Sequence, residues 1–119
     1  MVALETIMTF DISGTAVRWP DGTEGIIKQE SFDRDRGRGG RHAYVVHLRV
    51  KRDGKPEISG ALRFTFEAHE RMPGRDNAEK ANAVGRKLVS WVAENGLKDG
   101  FFFRVDADDF GVQVLEASD

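Results

Sequence analysis

Four arginines and three glycines crowd into nine residues, Asp33-Arg34-Asp35-Arg36-Gly37-Arg38-Gly39-Gly40-Arg41. A guanidinium offers a planar fork of donors that suits phosphate and stacks on bases, and glycine lets the backbone follow a ligand. Arg34, Arg36, Arg38 and Arg41 are therefore the candidate contacts for nucleic acid or a phosphate ligand. Three features oppose that reading. Asp33 and Asp35 dilute the charge, the stretch holds no aromatic residue, and the whole chain carries a formal net charge of −2, whereas nucleic-acid domains are usually basic. With no apolar residue in it, 33–41 reads most simply as a flexible solvated Arg/Gly loop. Neither the Walker-type nor the dinucleotide-type glycine pattern occurs, and no helix start follows.

The imidazoles are His42, His47 and His69. On a strand, His42 and His47 fall on opposite faces, so they cannot grip one ion together. Asp106, Asp108 and Asp109 could surround a hard cation, but Phe110 stands where a further ligand is wanted and no Glu closes the loop. No metal site is expected. The serines lack a nucleophile elbow and a His–carboxylate pair at recognisable spacing. The chain has no Cys, which excludes thiolate catalysis, disulfides and Cys-based zinc or iron–sulfur sites. No catalytic residue and no cofactor is assigned, and the residues lean away from an enzyme.

The elements that would position these groups are mostly strands. Leu4, Thr6, Met8, Phe10 and Ile12 alternate along a first strand, Ala16 to Trp19 forms a short second one, Pro20-Asp21-Gly22 turns, and Gly25 to Phe32 returns. His42, Tyr44, Val46, Leu48 and Val50 share one face of the next strand. Asp53-Gly54 then makes a hairpin with Ile58, Leu62, Phe64, Phe66 and Ala68. A loop centred on Gly54 sets Leu48 opposite Gly60, Val46 opposite Leu62 and Tyr44 opposite Phe64. His47, Arg49 and Arg63 then lie together on the other, polar face.

Asp76, with Glu79 three residues on, predicts a capped helix start, with Asp76 and Glu79 bonding each other's backbone reciprocally. Ala81, Val84, Leu88, Trp91 and Val92 form one apolar stripe, and Asn95-Gly96 stops the helix. Phe101-Phe102-Phe103 opens a final hairpin whose rings point to both sides. One side must be covered by something besides the helix.

The expected fold is α+β: an antiparallel sheet of about six or seven strands, order βββββαββ, with one long helix at about 76–95 on one face. At 119 residues this is a single domain, 1–119, and its 32% charged and 39% hydrophobic content fits a folded chain. No stretch is long and apolar enough to span a membrane, and the start lacks a signal-type pattern, so a cytoplasmic setting is expected. Charge is uneven: the segment from Lys28 to Lys55 carries +5 and that from Asp99 to Asp119 carries −5. The favoured function is a non-catalytic protein-interaction module that forms a homodimer, with Phe101, Phe102, Phe103, His47, Arg49 and Arg63 as interface residues. Nucleic-acid or phosphate binding at 34–41 is the alternative. A small enzyme or carrier with a pocket between helix and sheet is the third.

Overall fold

The computed structural model describes residues 10–36, 42–105 and 116–117. Alternating side chains place strands β1 (Ala16–Arg18), β2 (Glu24–Arg36), β3 (His42–Arg52) and β4 (Lys55–Thr65) in antiparallel succession. Gly54, at φ 69°, makes the β3–β4 turn that only glycine adopts without strain. That turn sets the predicted register, pairing Leu48 with Gly60, Val46 with Leu62 and Tyr44 with Phe64.

β4 ends earlier than the alternation of Phe66 and Ala68 implied. The Thr65 hydroxyl accepts the Ala68 N–H at 3.0 Å and caps a short helix, α1 (Phe66–Arg71). A second helix, α2 (Asn77–Asn95), follows, so there are two helices among the described residues where one was expected. At 19 residues α2 is of ordinary rather than long size. Asp76 caps it by accepting the Glu79 N–H at 2.9 Å, but the Glu79 carboxylate takes the N–H of Arg75 at 3.0 Å, one residue upstream of the expected partner. Gly96, at φ 78°, closes the helix by donating to the Val92 carbonyl at 2.8 Å.

The two helices carry the chain over the sheet, so β5 (Phe101–Arg104) enters beside β4 in the same direction. A crossover makes parallel pairing possible where a tight turn would dictate antiparallel. The sheet is therefore mixed, which corrects the all-antiparallel expectation. Among the described residues it has five strands of three or more residues, in the order of the chain, and a two-residue β6 (Glu116–Ala117) pairs with β5 at the far edge. The expected first strand is not formed at Phe10–Ile12, where Phe10 and Ile12 are buried in irregular chain and Asp11 is exposed, and 4–9 lie outside the described residues. So do 37–41 and most of the expected last hairpin.

One core lies between the helices and the inner sheet face. Val84, Leu88 and Val92 of α2 are fully buried with Ile27, Val46, Val50 and Leu62, each such side chain contributing about 1.5–3 kcal/mol of burial. Gly60, the gap in the apolar row of β4, is where Phe101 lies: a Cβ there would fall on the Phe101 carbonyl and ring. Gln29 fastens the incoming chain to the sheet. Its Nε2 donates to the Phe10 carbonyl at 2.6 Å and its Oε1 accepts the Ile12 N–H at 3.1 Å.

Candidate binding surfaces

A bulge between Gln29 and Ser31 shifts the parity of β2, so Phe32 and Arg34 face the same side as Ile27. Asp33–Arg36, expected within the loop, instead prolong β2 and pair with His42 to Val45. The inner face of this arm carries a ladder of rings. Phe10 stacks on Phe32 at 4.7 Å, Phe32 on Tyr44 at 4.7 Å, Tyr44 on Phe66 at 4.6 Å, and Phe66 on His42 at 5.5 Å. The Arg34 guanidinium lies 5.3 Å from the Phe66 centroid. Phe10 is buried, Tyr44 and Phe66 are half-buried, and His42 and Arg34 are exposed, so the ladder opens to solvent at its arginine end.

His69 of α1 lies against the ladder, 5.0 Å from Tyr44 and 5.9 Å from Phe64. Its Nε2 is buried without a hydrogen-bond partner among the described residues. Burial, and then the Lys80 ammonium, hold the imidazole below its ordinary value of 6.5, against an opposing hydrogen bond with Asn77 and the Glu70 charge. Lys80 is itself anchored, its Nζ donating to the His69 carbonyl at 2.7 Å.

The three histidines do not meet at one site: His42 caps the ladder, His47 is exposed on the outer face and His69, on α1, packs against Tyr44 and Phe64. No group of three metal-ligating side chains occurs among the described residues. Asp106, Asp108, Asp109, Arg38 and Arg41 lie outside those residues, and Arg36 ends β2 opposite His42.

The outer sheet face bears the other expected residues. Arg49 is clasped by Glu30 at 3.0 Å and Glu57 at 3.3 Å, and the Glu30 bond chiefly raises the already high guanidinium value. Arg63 is half-buried opposite Val45 and Arg104. Of the three phenylalanines, Phe101 and Phe103 turn inward and are buried, with Trp91 edge-on to Phe103 at 4.4 Å. Phe102 alone of the three points outward, half-buried beside Ala61.

One outer residue was not singled out by its sequence pattern. Ile26 is 57% exposed, opposite Ala16 on one side and Lys51 on the other. The signal was the pair Ile26-Ile27, which on a strand must send one isoleucine to each face. Ile26 borders an open depression of about 630 Å³ that also takes in Gly14, Ala16, Lys28, Lys51 and Asp53. A second depression, of about 470 Å³, runs from Trp91 and Asn95 to Phe102. The layer between α2 and the sheet is filled by Val84, Leu88, Val92 and Leu48, each at most 1% exposed.

Comparison with protein-family models, curated proteins and solved structures finds no match. The surfaces themselves therefore carry the functional argument. None of the helices among the described residues is long and apolar enough to cross a membrane.

Proposed function

We propose that the chain is a non-catalytic protein-interaction module that self-associates through the outer face of its sheet. Ile26 carries this reading. An isolated exposed apolar side chain is commonplace on a protein surface. Ile26, however, sits near the start of β2 on the outer sheet face, beside Ala16 and a depression wide enough to receive a partner's side chains. Phe102 adds a second apolar group on the same face. Light scattering across a concentration series tests the proposal: association raises the mass from 13.3 kDa toward twice that value, and Ile26→Asp abolishes the rise. A mass that stays monomeric at every concentration contradicts it.

A second reading is favoured by one contact, Arg34 over Phe66. It supplies the aromatic platform that the Arg/Gly stretch lacks in sequence, and an arginine beside stacked rings suits a single-stranded nucleic acid. Fluorescence anisotropy with a labelled oligonucleotide tests it. Binding that falls steeply with salt and weakens in Arg34→Ala and Phe66→Ala supports it, and no binding at low salt rejects it.

A further inference from the structure

The outer side of β2 reads Glu24, Ile26, Lys28: an anion, an apolar centre and a cation, each about 7 Å from the next. On the neighbouring strand Asp53 lies beside Glu24, its N–H bonding the Glu24 carbonyl at 3.0 Å, while Lys51 is level with Ile26 and Arg49 with Lys28. Resting on the self-association reading, we infer that a second copy of this chain docks here. A two-fold axis crosses β2 at Ile26 and sets the two β2 strands antiparallel, face to face.

The charges decide the direction. A parallel arrangement would put Glu24 over Glu24 and Lys28 over Lys28. The antiparallel one puts Glu24 of each copy against Lys28 of the partner subunit, and does so twice. Lys51, level with the axis, meets Lys51 of the partner subunit, and its flexible four-carbon stem lets each ammonium turn instead toward Asp53 of the partner subunit, about 7 Å along the strand. An isologous interface demands this kind of self-complementarity.

The ion-pair inventory points the same way. Arg18, Arg49 and Lys55 each hold a carboxylate within 3.3 Å. Lys28, Lys51 and Asp53 hold none among the described residues, although they border the same depression. Glu24 is the exception, bonded to Arg18 at 2.7 Å. Both of those groups are exposed, so the bond leaves carboxylate lone pairs open to a second cation.

Two charge-reversed proteins test the arrangement: Lys28→Glu with Lys51→Glu, and Glu24→Lys with Asp53→Lys. Each alone presents four like charges per copy, eight across the interface, and its self-association weakens by at least about tenfold. An equimolar mixture restores opposite charges across the axis and recovers a dimer of one copy of each. All the substituted side chains are exposed, and circular dichroism confirms folding. Should a reversed pair unfold, the single Lys28→Glu and Glu24→Lys variants replace it in the same mixture.

A wild-type protein that dimerises while both variants dimerise as tightly, with no preference in the mixture, overturns this geometry and leaves self-association standing. A monomeric wild type overturns both. So does a protein that stays monomeric and takes a different partner on this face.

Discussion

The indole Nε1 of Trp19 donates a hydrogen bond to the carbonyl of Leu97 at 3.0 Å, joining the end of β1 to the residue that follows the cap of α2. Both side chains are buried, and the ring also lies over Gly25, where a Cβ would come within 2.9 Å of it. The Arg52 guanidinium sits 5.7 Å from the same ring. One residue thus locks the helix to the edge of the sheet that carries the proposed docking strip. Trp19→Phe keeps most of the packing but leaves the Leu97 carbonyl without its donor. The expected loss is about 1–3 kcal/mol in a denaturant titration, with β1 losing amide-exchange protection first.

Gly60→Ala places a methyl group against the Phe101 carbonyl and ring. Backbone cannot yield as a side-chain tip does, so β5 must move away from β4. Destabilisation of about 1–3 kcal/mol or more is expected, measured as a lowered melting temperature. Gly54→Ala meets no neighbour and pays only for its positive φ, so it should cost less.

Removing the helix cap with Asp76→Ala frees the Glu79 N–H that its carboxylate satisfies. The loss should be about 1 kcal/mol, and Asp76→Asn should retain most of the stability because its amide oxygen can still accept. Chemical denaturation of both variants decides this.

His69 gives stability a pH dependence of defined sign. Its folded value lies below 6.5 because burial and Lys80 disfavour the cation. Above 6.5 both folded and unfolded states keep it neutral. As pH falls through 6.5 the unfolded chain takes up a proton that the folded one refuses, and stability declines until the folded imidazole also protonates. Denaturant midpoints compared at about pH 7.5 and about pH 5.5 should show this decline, and His69→Phe should flatten it.

The hairpin around Gly54 was legible because two local signals agreed: a turn requiring φ > 0 and alternation on both flanks. Tyr44 and Phe64 pair as that register requires. The Asp76 cap and Gly96 stop were legible for the same reason, each being set within four residues. The direction of β5 was not, since it depends on where α1 and α2 deliver the chain, a tertiary matter that alternation in Phe101–Arg104 does not encode. Nor was the ladder, because Arg34 reaches Phe66 only through the bulge after Gln29 and the Thr65 cap that turns β4 into α1. Ile26 was hidden in an apolar pair whose outward member could be identified only once the face was known.

Because the chain has no Cys, a single introduced thiol reports one position without interference. Ile26→Cys and, as a control on the exposed side of α2, Ser90→Cys can each be treated with a short bismaleimide at micromolar protein concentration. Docking about a two-fold axis at Ile26 brings the two thiols of Ile26→Cys face to face, so this variant should cross-link quickly to a species of twice 13.3 kDa while Ser90→Cys remains single. Cross-linking of the two variants at the same slow rate would contradict the account.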